Sequence, residues 1–180
     1  MEQIWKDAVW KQFGAAIDML ELAIQRCPDN VWSDPAQRPE WQANGVVGFW
    51  YLAFHTLFYV DYFLTEDRDN FQPPAPFTCD ELSTEGLLPS RPYTKAELQS
   101  YLEHCRAKCR RVIREMTGVQ CQRTIQIWSK QFNGAELLLY NLRHVQHHTA
   151  QLYLLLRQQT ATAPNWVSAA TCGLDEAHNG

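Results

Sequence analysis

Four long, proline-free stretches of this chain read as helix, and almost nothing between them reads as strand. They run from about Gln3 to Arg26, Ala43 to Glu66, Thr94 to Met116 and Asn133 to Gln159. Cys27-Pro28-Asp29-Asn30 stops the first of them. The second is crowded with aromatics and strand formers, but no turn signal breaks it and its length suits a helix. Thr94-Lys95-Ala96-Glu97 opens the third as a capping box, in which side chain and backbone satisfy each other's free donors. Asn133 caps the fourth, with Glu136 three residues on. A helix with one apolar stripe must bury that stripe against a neighbour, so the expected fold is all-α, a four-helix bundle of residues 1–160.

A hydrophobic fraction of 46% in 180 residues supplies a core for one domain. The tail, residues 161–180, is small and polar apart from Trp166 and is expected to be partly loose. The connector Val31 to Gln42 is rich in Pro and Trp. Asp67 to Tyr93 carries Pro73, Pro74, Pro76, Pro89 and Pro92; irregular stretches of this length are often lids or functional loops. Val119 to Phe132 reads either as an extended connector or as a short helix.

The net charge of −4 gives no footprint for a phosphate backbone, so nucleic acid is not an expected partner. No apolar run is long enough for a membrane span: Val46 to Leu64 is interrupted by His55, Thr56 and Asp61. The start of the chain has charge and Trp where a secretory signal has an apolar run. Six cysteines without a CxxC pair read as free thiols, and the expected location is the reducing cytoplasm. There is no HExxH, GxSxG or P-loop pattern.

Chemistry concentrates in the histidines. At about 100° per residue, His144 and His148 lie about 40° apart on the fourth helix, on the side shared by Leu137, Tyr140, Gln151 and Leu155. Two imidazoles one turn apart can grip one metal ion, but two ligands are rarely enough. His55 is the candidate third, in the middle of the second helix on the face of Gly48, Tyr51, Tyr59 and Tyr62. Each element has a plainer reading. An isolated helical HxxxH is more often a satisfied pair, and a lone His among aromatics is more often a hydrogen-bonded core residue. The combination of the two inner faces is what points to a site.

A central His in AFHTLFYVDYFL, followed far downstream by LRHVQHHTAQLYLLLRQ, resembles the DinB/YfiT-like superfamily over about Gln3 to Gln159. The resemblance implies a four-helix bundle, frequent homodimers, and a divalent metal, often nickel or zinc, held by His55, His144 and His148. Its characterised members include transferases and isomerases that use a low-molecular-weight thiol, and some assigned as hydrolases. The long Pro-rich loop and the tail depart from the family pattern and leave the substrate class open.

Three neutral imidazoles leave the charge of the ion uncompensated and a position open, which suits activation of a thiol or of water. Gln151 and Tyr140 are the expected orienting partners of the imidazoles. Tyr51, Tyr59 and Tyr62 are expected either to line the pocket or to pack in the core. The alternative function is a non-catalytic dimeric bundle that binds an apolar ligand or a partner. Cys105 and Cys109 read as buried small thiols, Arg106 to Arg114 as a solvated basic face, and His178 as part of the tail.

Overall fold

The computed structural model describes residues 2–34 and 48–176. Helix α1 (Gln3–Arg26) ends where Pro28 pushes Cys27 into extended backbone, and the single turn α2 (Asp29–Trp32) follows. Then come α3 (Phe49–Phe63), α4 (Lys95–Glu115), α5 (Gly118–Gln122), β1 (Thr124–Ile127), β2 (Lys130–Asn133) and α6 (Gly134–Thr160). Helix α1 packs on α4 and α6, and α3 packs on the same two, so the four long helices close into the expected all-α bundle. Its core takes Phe13, Ile17 and Leu20 from α1, Phe54 and Phe58 from α3, Leu102 from α4, and Val145 and Leu152 from α6.

The capping boxes form as their sequences require. The Thr94 hydroxyl accepts from the Glu97 amide at 3.2 Å, and the Glu97 carboxylate accepts from the Thr94 amide at 2.7 Å. Asn133 and Glu136 make the same reciprocal pair at the start of α6. Cys105 and Cys109 lie wholly inside the core, where burial pushes both thiols up and keeps them protonated.

Helix α3 differs from its expected bounds. Gly48 is extended, so the helix starts at Phe49; residues 43–47 and the connector from residue 35 on lie outside the described residues, as does His178. Its end comes at Phe63 rather than Glu66, and Arg68 Nη2 donates to the freed Phe63 carbonyl (2.9 Å).

The ambiguous stretch resolves into both readings and one more. Thr117 and Gln120 form a third capping box that opens α5, and Thr124–Ile127 then pairs antiparallel with Lys130–Asn133 in a hairpin whose turn holds Trp128 at φ 50°. Gly134 lets this unit sit close: a Cβ there would lie 2.1 Å from the Gln120 carbonyl oxygen.

The tail is docked rather than loose. Trp10 Nε1 donates to the Cys172 carbonyl (2.8 Å), the Thr171 amide to Asp18 (2.8 Å), and Arg110 Nη2 to the Gly173 carbonyl (2.9 Å), while Leu174 is buried. Nor is the basic run of α4 uniformly solvated. Arg106 is buried against Asp18 and Glu21 of α1. Lys108 bonds Asp61 of α3 and the Thr65 hydroxyl.

Asp61, itself buried, also accepts from Tyr101 Oη at 3.1 Å and faces His104 Nε2 at 3.4 Å. Burial alone would raise its pKa, but the bonds from His104 and Lys108 outweigh it and hold the carboxyl below the usual aspartate range. A carboxyl depressed in the folded state contributes stability above its unfolded pKa, about 3.9, and loses it as pH falls through the folded value. An Asp61→Asn protein is therefore expected to unfold more easily than wild type at pH 7, with the gap closing below about pH 4. Urea titrations between pH 2 and 7 check this; a gap that is constant with pH would refute it.

Candidate metal centre

The α3–α6 contact sets the site. His55 occupies the middle of α3, and His144 and His148 stand one turn apart on the facing stripe of α6. One ring nitrogen from each of the three lies within 4.8 Å of the others. His55 Nε2 and His144 Nε2 are 3.4 Å apart. Two nitrogens bound tetrahedrally to one ion at about 2.0–2.1 Å would be separated by roughly 3.4 Å, so this spacing fits two ligands of a common metal.

The outer nitrogens settle which lone pairs face inward. His55 Nδ1 lies 2.8 Å from Glu81 Oε2, and the carboxylate can only accept, so Nδ1 donates and Nε2 is the nitrogen turned towards His144. His148 Nδ1 likewise donates to Gln151 Oε1 at 2.7 Å. At that separation the His55 and His144 Nε2 atoms can share a proton or a cation, and a bound metal would take the place of the proton. His144 Nδ1 is buried with no hydrogen-bond partner.

Both α6 rings are held neutral. Burial first, then the rings of His148, His55 and His147, bring the His144 imidazole down to about 2. His148 is brought down to about 4 by burial and His55, with the Gln151 bond working the other way and His147 adding a little. Neutral imidazole is the ligating form, so neither ring needs to lose a charge-bearing proton to bind a metal at pH 7.

The remaining residues singled out in the sequence fall in different places. Tyr59 sets its ring against His55 (4.8 Å between centroids) and His144 (5.6 Å), and its hydroxyl donates to the Glu81 carbonyl at 3.2 Å. Burial pushes that phenol well up, so it keeps its proton. Tyr140 sets its ring edge-on to Phe63 and tilted against Phe132, and it is Phe63 that meets the His144 ring. Tyr62 faces Trp128 and Phe71. Tyr51 is buried with Trp50 and Phe54. His147 borders His148 but is not among the three convergent nitrogens.

Two residues of the site escape sequence reasoning. Glu81 stands on a 3₁₀ turn (Asp80–Leu82) of the long Pro-rich loop, with its side chain 5% exposed. Nothing in its spacing pairs it with His55, and only the length of the loop hinted at a role. Glu81 Oε1 is buried without a partner and has room for one more donor. Trp128, at the hairpin turn, closes an aromatic wall with Tyr59 and Phe63. The alternation Thr124-Ile125-Gln126-Ile127 was its only signal.

Fold and donor set together define a four-helix bundle with a three-histidine cluster able to hold a metal ion. The family model of the DinB superfamily matches residues 12–152, and the chain belongs to that superfamily. No curated protein matches it. No helix among the described residues is long and apolar enough to cross a membrane.

Proposed function

We propose that this chain is a divalent-metal-dependent enzyme that activates a small thiol for transfer, with activation of water for hydrolysis as the second reaction the same site would support. The observation that carries the reading is the convergence of His55, His144 and His148, with Glu81 and Gln151 on the outer nitrogens of two of them. The donor set is imidazole only, which suits zinc or nickel and leaves the choice to availability. Bound there, the ion would supply Lewis acidity towards a thiol or water.

The chain's own residues do the rest. Glu81 and Gln151 fix the tautomers of His55 and His148 and aim their Nε2 atoms at one point. Tyr59 ties the Pro-rich loop to α3 through the Glu81 carbonyl and keeps that carboxylate in place. The aromatic wall of Tyr59, Phe63 and Trp128 lowers the local polarity beside the histidines. We assign the protein to the cytoplasm, in keeping with the protonated core thiols, and propose that it works as a homodimer.

Elemental analysis of protein purified without a histidine tag tests the reading, with about one equivalent of divalent metal per chain expected. Screening that protein with small thiols and electrophiles then separates transfer from hydrolysis. Folded, metal-free protein whose melting zinc and nickel leave unchanged would favour the non-catalytic bundle instead. Glu81→Gln keeps an acceptor for His55 Nδ1 but removes the charge. It is expected to weaken metal affinity about 10–100-fold with helix content unchanged, as measured by competition with a chromophoric chelator. Unchanged affinity would remove Glu81 from the site.

A further inference from the structure

A cavity of about 700 Å³ opens between the ends of α3 and α4, helix α5, strand β1 and the start of α6. No α6 histidine lines it; Phe63, whose ring packs on His144, does. Its volume lies within the range of small-molecule sites. Phe63, Val112, Met116, Leu137 and Leu138 supply an apolar floor.

The charges around that floor are unbalanced. Arg68, Lys108, Arg111 and Arg123 line the cavity against Glu66 and Glu115. Lys108 is committed, with its three donors on the Asp61 carbonyl, the Asp61 carboxylate and the Thr65 hydroxyl. Arg68 uses Nη2 on the Phe63 carbonyl, but its Nε is buried with no acceptor. Among the described residues, no hydrogen bond or ion pair engages the Arg111 or Arg123 guanidinium. Burial and the nearby Arg123 weaken the hold of Arg68 on its charge, while Tyr62 and Glu66 oppose them. Among the described residues Glu66 forms no ion pair with Arg68 or Arg123, and its carboxylate accepts from Gln120 Nε2 at 3.5 Å.

Two neighbouring guanidiniums, one with an orphaned buried donor, above an apolar floor call for an anion with an apolar body. We propose that this cavity binds a small amphipathic carboxylate, its head between Arg68 and Arg123 and its hydrocarbon on Phe63, Met116 and Leu138. Guanidinium matches a carboxylate with two parallel hydrogen bonds, and burying the tail on the apolar floor adds the favourable free energy of taking hydrocarbon out of water. The site is independent of the metal reading, since none of the three clustered histidines lines it.

Calorimetric titration of the full chain with octanoate and with 1-octanol tests the proposal. Octanoate is expected to bind saturably, at least ~5-fold more tightly than 1-octanol, and to lose that advantage in 0.5 M salt. Arg123→Gln, at an exposed position, is expected to weaken octanoate about 5-fold or more and to leave 1-octanol unchanged. Arg68→Gln would do the same but also frees the Phe63 carbonyl, so its unfolding midpoint is measured alongside and Arg123→Gln carries the decision. Equal affinity for acid and alcohol, an unaffected Arg123→Gln protein, or no saturable octanoate binding would each overturn the proposal.

Discussion

His148→Ala protein is expected to lose bound zinc or nickel on dialysis while its far-ultraviolet helix signal stays at the wild-type level. Removal of an outer partner of a metal ligand costs about 10–100-fold in affinity. Removal of a ligand from a set of three should exceed that range, because two imidazoles seldom retain an ion. The metal-free fold has less to lose. His148 is a neutral ring that burial has already brought down to about 4, and its side-chain hydrogen bond runs to Gln151 within the same helix. The measurement is metal content by elemental analysis with circular dichroism on the same sample. Full occupancy in the variant would end the three-histidine reading. A matching loss in His55→Ala would show that ligands on two helices serve one ion.

The largest effect on stability is expected at Arg106. Its side chain is 1% exposed, donates to Asp18 and to Glu21 (2.5 Å), and lies 3.4 Å from Glu103. Burial alone would lower the guanidinium's pKa, but the Asp18 bond and the surrounding carboxylates outweigh it and hold the pKa above its ordinary value. Arg106→Ala leaves Asp18 buried without its cation, a change that costs about 3–5 kcal/mol in comparable pairs. Asp18 also anchors the tail through the Thr171 amide, so protease sensitivity after residue 160 should rise with it. Denaturant titration gives the first effect and limited proteolysis the second. In an Asp18→Asn/Arg106→Met protein part of the loss should return, because no lone charge remains. A loss under about 1 kcal/mol in Arg106→Ala would mean that water reaches the pair.

Arg106 also shows where the sequence stops being legible. Arg106, Lys108, Arg110, Arg111 and Arg114 read alike as a basic stretch of one helix, yet they meet five different fates. Arg106 enters the core, Lys108 closes on α3, Arg110 holds the tail, and Arg111 borders the cavity, while Arg114 lies 3.8 Å from its neighbour Glu115. The difference lies in what packs opposite, which no periodicity encodes. Glu81 is the same case at the site. A carboxylate on a loop finds His55 across 26 residues because Phe71, Phe77 and Tyr93 bury themselves and fix the path of that loop.

Local rules fared better where the physics is local. The capping boxes at Thr94 and Asn133 place the starts of α4 and α6, since each bond joins residues three apart. The one at Thr117 was equally readable, and it opens the short helix of a stretch left undecided between helix and extended chain.

The sequence by itself determined the helices, the bundle, and the stripe that carries His144 and His148, because capping and the 3.6-residue repeat act within a turn or two of chain. Packing in three dimensions is what brings His55 to that pair, adds Glu81 and Trp128, and gathers cations around a separate cavity. Those encounters depend on the relative rotation and depth of packed helices, and these are set by the summed shape of a core rather than by any short run of residues.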